Sequence, residues 1–209
     1  MDGKLIVSSS PHISSPVKTK NIMLDVIIAL IPSLAASIYF FGPRAAVITI
    51  VSVATCVIAE YICRKVMKRE QTIGDLSAVV TGILLAFNLP SSVPIYVPII
   101  GGLVAIVMVK QMFGGLGQNF VNPALLARII LMNSFPVLMT TWYPAGGFGA
   151  DTTATASPLA NIATGQLDAL PSYMDMFLGN IPGCLGETSA LALLIGGIYL
   201  VARKVISPI

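Results

Sequence analysis

Residues 22–63 read IMLDVIIALIPSLAASIYFFGPRAAVITIVSVATCVIAEYIC, two apolar runs parted by Gly42-Pro43-Arg44. Each run is close to the ~20 residues that a helix needs to cross a bilayer. Asp25 and Glu60 are the only charged side chains within them. A helix that is apolar on every side belongs in a membrane or a large core. The composition decides between the two: 56% of the 209 residues are hydrophobic and 10% are charged, where soluble domains carry about 25% charged residues.

Beyond these two runs, 22–41 and 45–63, further apolar stretches lie at 73–89, 93–110, 122–139 and 187–202. The pattern predicts an all-α polytopic membrane protein of about six transmembrane helices. The last run is short, and Asn88-Leu89-Pro90-Ser91-Ser92-Val93-Pro94 parts the third from the fourth. Such punctuation allows broken or re-entrant helices, because irregular backbone is tolerated at membrane depth when it is buried in protein.

Charge orients the spans. Lys and Arg number 12 against 9 Asp and Glu, and they gather in the tail 1–21, in Arg64-Lys65-Val66-Met67-Lys68-Arg69, at Lys110 and at Arg203-Lys204. Arg44 is the only basic residue in the alternate connections, and none lies between Arg128 and Arg203. Basic residues collect on the cytoplasmic side. The reading is therefore a cytoplasmic tail (1–21), a five-helix membrane segment (22–139), an outward-facing loop (140–186) and a sixth helix within 187–209, all in the plasma membrane. The same concentration of charge at helix ends argues for a lipid bilayer and against nucleic acid as a partner. The polar start lacks a small-residue cleavage site and reads as a tail, not a removed signal.

Side chains suited to catalysis are scarce. His12 is the only histidine and lies in the tail, so no Ser-His-Asp or Cys-His set can form within the membrane. Cys56, Cys63 and Cys184 have no metal-ligand spacing and read as small packing residues. Asp25 and Glu60 fall near helix ends, where capping or interface roles are the default. An echo joins Gly74-Asp75-Leu76-Ser77-Ala78 to Gly186-Glu187-Thr188-Ser189-Ala190: each places an acid and a serine at the mouth of an apolar helix. Capping alone accounts for it; an inverted repeat, with sites near the midplane, is the alternative.

Two further segments stand out. In GQNFVNPALLAR, 117–128, Asn122 is a natural N-cap and Pro123 suits the first helical position. Arg128 lies six residues into that apolar helix, where a charge needs a partner, a polar cavity or a route to the interface. In DTTATASPLA, 151–160, hydroxyl and small residues make an exposed turn within a long polar loop. Long loops without regular structure are uncommon unless they are functional or disordered.

These two segments, with DLSAVVTGILLAFNLP (75–90) and GCLGETSALALLIGG (183–197), resemble in order and spacing the RnfD/NqrB family of membrane flavoprotein subunits. The short tail is closer to RnfD. In that family a motif of the type D-x-x-[ST]-G-A-[ST]-P-L receives FMN through a phosphoester made by a flavin transferase. Laid on this chain, the resemblance implies Ser157 as the covalent FMN acceptor, Thr155 as the second choice and Asp151 as the motif's acid. Ala154 and Thr155 depart from the pattern, standing where the family has a hydroxyl residue and then Gly. The resemblance further implies a non-covalent riboflavin, with Asn119, Asn122 and Arg128 as polar contacts to a flavin, and partners in an Rnf-type ion-translocating ferredoxin:NAD oxidoreductase. Family members continue past the equivalent of Ile209, so 187–209 reads as the start of an incomplete second half. The competing readings are a solute channel or transporter without redox cofactor, and a structural scaffold.

Overall fold

The computed structural model describes residues 18–146, 154–166, 168 and 170–207. The tail residue His12 and the motif residue Asp151 lie outside them. Helix α1 (Thr19–Phe41) and helix α2 (Pro43–Val66) form a tight hairpin. Gly42 turns it at φ 72°, in the left-handed region open to glycine, and Pro43 starts α2 where no N–H is needed. A 3-10 turn (Ile73–Asp75) leads into α3 (Ser77–Phe87); α4 (Tyr96–Leu103) continues as a π-helical segment, Val104–Gln111. Helices α5 (Pro123–Ser134) and α6 (Pro136–Thr140) are one run broken at Phe135, ahead of Pro136. Two short helices, α7 (Pro158–Ala163) and α8 (Tyr173–Leu178), lie in the polar loop, and α9 (Ala190–Ala202) closes the order.

Contacts fix the directions. The Ser52 hydroxyl donates to Gly82 O, and Thr72, just before α3, donates to Glu60 of α2, so α3 runs against α2. The π-helical Lys110 also reaches Glu60, while Gly102 lies against Thr55 and Cys56, so α4 runs with α2. Ser33 of α1 meets Gly186 and Asp25 meets Arg203, so α9 runs against α1. One end of the bundle gathers Arg64, Arg69, Lys110 and Arg203; the other carries the loop, whose Gly146 N–H donates to Phe40 O. We call these the basic end and the loop end.

The protein is all-helical and polytopic, with apolar outer faces: Ile31, Ile50, Ile62, Leu194 and Ile198 are exposed. Its interior is built from Ile48, Leu85, Leu89, Val93, Val97 and Leu131. The six expected segments are present but unequal. Helices α1 and α2, of 23 and 24 residues, are each long enough to cross a bilayer. The third and sixth are not: α3 has 11 residues and α9 has 13, about 16 and 20 Å at ~1.5 Å per residue, against a ~30 Å hydrocarbon core. They are half-helices, and the loop 140–186, expected to lack regular structure, contains α7 and α8. Hydropathy gives the extent of an apolar run, not the point within it where the helix stops, here Phe87 ahead of Asn88-Leu89-Pro90.

Helix α9 packs on α1 through Gly196, where an added Cβ would meet the Ala29 carbonyl, whereas Gly197 faces open space. Gly196→Ala is expected to lower stability in detergent by ~1–3 kcal/mol through overpacking. Gly197→Ala should be neutral or stabilising by up to ~1 kcal/mol. Thermal melts of the two variants check this, and equal melting points would contradict the packing.

Candidate functional site

Ser157 is the N-cap of α7: its backbone is extended and its Oγ accepts from Ala160 N at 3.3 Å. The residues that favour this are the serine itself and Pro158 behind it. Half-buried, Ser157 opens onto a cleft of about 380 Å³ whose lining includes Trp142, Leu159, Met176, Pro182 and Glu187. Thr155 is exposed and lies on the other side of Pro158, in a cleft of about 570 Å³ with Pro144, Asn161 and Asp168. Its N–H donates to Trp142 O at 2.9 Å, an antiparallel bridge that ties the motif to the end of the membrane segment. The two hydroxyls named by the sequence are therefore separated into different clefts.

Gly183, Glu187 and Thr188, which line the Ser157 cleft, flank a junction with the bundle. After α3 ends, the Phe87 and Leu89 carbonyls accept from the N–H groups of Gly186 and Leu185, both at 3.0 Å. Arg128 closes this junction: Nη1 donates to Asn88 Oδ1 at 2.7 Å, Nη2 reaches Cys184 Sγ at 3.5 Å, and Glu187 Oε2 lies 4.0 Å away. The arginine has its partner inside the bundle and does not snorkel. Cys184, expected as a packing residue, is buried and also donates to Asn88 O. Glu187 links Arg128 to the cleft that Ser157 faces.

The other two residues grouped with Arg128 serve the backbone. Asn122 Oδ1 caps α5, accepting from Ala124 N and Leu125 N at 3.0 and 3.4 Å. The Asn119 amide, with its nitrogen turned inward, donates to Gly115 O and Val109 O. Each holds local chain, and Arg128 is the one that reaches the junction. The echo is local too: Ser189 caps α9 through Ala192 N, while Asp75 accepts from Ser77 N and Oγ.

Elsewhere in the loop, Ser172 caps α8 by accepting from Asp175 N and donates to Asp175 Oδ2 at 2.7 Å. This hydrogen bond, with a second from Asn180, holds the Asp175 carboxyl below the usual carboxylate range.

A second polar centre, not expected from the sequence, lies at the basic end. Glu60 and Lys110, which the sequence suggests are an interface acid and an inner-side marker, are both fully buried and 3.0 Å apart. The available signal was opposite charges near matching ends of two neighbouring apolar runs.

Residues 6–209 match the NQR2, RnfD, RnfE family. The chain is 48% identical over 207 residues to the D-subunit of the Na(+)-translocating ferredoxin:NAD(+) oxidoreductase complex of Acetobacterium woodii, covering 97% of this chain and 64% of that protein. It is 39% identical over 209 residues to the D-subunit of the proton-translocating ferredoxin:NAD(+) oxidoreductase complex of Clostridium ljungdahlii, covering 96% and 63%. The chain thus spans just under two thirds of the length of these relatives.

Arg128→Met would leave Asn88 Oδ1 without its donor and is expected to cost ~1–3 kcal/mol. Arg128→Lys should recover less than half of that, since an ammonium lacks the planar fork that meets two partners together. Denaturant unfolding in detergent measures both, and a Met variant as stable as the parent would contradict the assignment.

Proposed function

The chain belongs to the NQR2, RnfD, RnfE family, and from that premise we propose that it is a membrane flavoprotein subunit relaying electrons in an Rnf-type ion-translocating ferredoxin:NAD oxidoreductase, with FMN joined to Ser157. The names of its relatives support the complex. The observation that carries the cofactor is the Ser157 hydroxyl at the mouth of a cleft walled by Trp142, Leu159, Met176 and Pro182.

The residues fit an FMN phosphoester. Ser157 supplies the oxygen that attacks the FMN-side phosphorus of FAD, losing its hydroxyl proton as the pyrophosphate bond breaks and AMP leaves, the reaction of a flavin transferase. Its half-exposed position on a loop suits insertion into a second enzyme. Phosphate oxygens on Ser157 offer the Ala160 N–H stronger acceptors than the hydroxyl it now uses. Trp142 offers an aromatic face for a planar ring, and the apolar wall excludes water. Glu187 would repel an anion, but Arg128 lies 4.0 Å from it and offsets that charge. When bound, the flavin supplies the one- and two-electron chemistry; the chain orients it and sets its electrostatics. A second, non-covalent riboflavin would find its polar contact at Arg128, with Asn119 and Asn122 engaged in holding backbone.

Sidedness follows from charge. The basic end faces the cytoplasm, the loop end faces outward, and the chain sits in a lipid bilayer of the plasma membrane among the other subunits of the complex. The meeting of two half-helices is the one observation that favours the second reading, a solute channel; solute flux through flavin-free protein would support it.

Co-expressed with the flavin transferase, the denatured chain should give a yellow-fluorescent band on a gel. Ser157→Ala is expected to abolish that fluorescence and Thr155→Ala to retain it. A dark parent band, or a fluorescent Ser157→Ala band, would refute the Ser157 assignment.

A further inference from the structure

The Glu60–Lys110 centre is separate from the cleft and unused by the flavin reading. Glu60 Oε1 accepts from Thr72 Oγ1 at 3.1 Å and from Gln111 Nε2 at 2.9 Å, and Glu60 Oε2 accepts from Lys110 Nζ at 3.0 Å. Lys110 Nζ also donates to Ser77 Oγ at 2.6 Å, and Ser77 Oγ donates to Asp75 Oδ1. Glu60, Lys110 and Gln111 are sealed, while Asp75 is half-buried, so one unbroken series of hydrogen bonds runs from the sealed pair to a carboxylate at its edge.

Two features set this apart from a structural ion pair. A buried pair is commonly no more stabilising than apolar residues of the same volume, yet here a π-helical segment turns both Lys110 and Gln111 inward, a geometry frequent at functional sites. Moreover, among the described residues, the buried Gln111 Oε1 has no hydrogen-bond partner. That atom is the acceptor a protonated Glu60 would need, and rotation of the Gln111 amide presents it. The centre can therefore satisfy both charge states of Glu60.

From this geometry we infer that Asp75, Ser77, Lys110 and Glu60 form a proton relay that loads Glu60 from the basic end of the bundle. Lys110 passes a proton to Glu60; the resulting amine takes the hydroxyl proton of Ser77, and Ser77 is reprotonated from Asp75. Asp75, half-buried, takes that proton from water at the basic end, so one proton enters there and one arrives at Glu60, while Asp75, Ser77 and Lys110 end as they began. The other groups around the centre are engaged elsewhere. Arg64 donates to Glu70 O and Arg69 to Gln111 O, and Asp25 of α1 is held by Arg203 and Tyr199 of α9. Cys56, on α2 one turn before Glu60, is buried among Ala59, Ala78 and Ile106.

Infrared difference spectroscopy of the whole chain in lipid nanodiscs, after a downward pH jump, tests the relay. The expected result is a carboxylic-acid C=O band that Glu60→Gln removes. In Ser77→Ala and Asp75→Asn it should form about tenfold more slowly, the equivalent of one lost hydrogen bond in the barrier, and in Ser77→Thr it should form at the parent rate. The paired variant Glu60→Gln/Lys110→Met removes both charges together; with parent-like circular dichroism, it should also lack the band. A band that survives Glu60→Gln, or that forms at the parent rate in both Ser77→Ala and Asp75→Asn, overturns the relay. So does a band that sodium suppresses competitively, which would make these oxygens a metal-cation site.

Discussion

The structure depends on the junction where α3 stops inside the bundle. A bilayer offers no water to the last carbonyls of a helix, so they must find partners within the protein. Residues 184–186 provide them: two amides meet the Phe87 and Leu89 carbonyls, and Gly186 lies so close to the Phe87 ring that a Cβ could not be added. Once that strand-like contact exists, Cys184 and Glu187 are delivered to Arg128, and Arg128 has a reason to sit six residues into an apolar helix. The cleft that Ser157 faces is lined in part by the residues flanking that segment, Gly183, Glu187 and Thr188. The loop's cleft is thus tied to a connection made inside the membrane segment.

The bundle keeps its two polar centres apart. At the loop end, Glu187, 4.0 Å from Arg128, borders a cleft walled by an indole, a thioether and prolines. At the basic end, Glu60 and Lys110 are sealed behind α2, α3 and the π-helical segment, with Asp75 as their half-buried edge. The interior of Leu85, Leu89, Val97 and Leu131 lies between α2, α3, α4 and α5.

Much of this was legible in the sequence. Apolar length located all six segments, and the Asn122-Pro123 pair announced the start of α5, whereas the cap at Ser157 lies in what the sequence reads as a turn. Charge divided the basic end from the loop end. The half-helices were legible in part, from the short sixth run and the Asn88–Pro94 punctuation, but the place where α3 stops is set by pairing with a segment almost a hundred residues away. Glu60 and Lys110 were hidden for a related reason. Each sits at the edge of its apolar run, where a charge ordinarily meets the interface, and only the packing of α2 against the π-helical segment seals them together. Asn119 and Arg128, neighbours in a motif, turned out to serve different parts of the chain, since a helix carries its residues away from the loop that precedes it. Asp151 lies outside the described residues, so the acid of the motif stands as a sequence expectation.

Whether Ser157 carries the flavin is decided by mass spectrometry of the chymotryptic peptide spanning 144–173, from protein matured with the flavin transferase. The expected peptide is heavier by FMN less water, with fragmentation placing the added mass on Ser157. An unmodified peptide, or one carrying the mass on Thr155, would contradict the assignment.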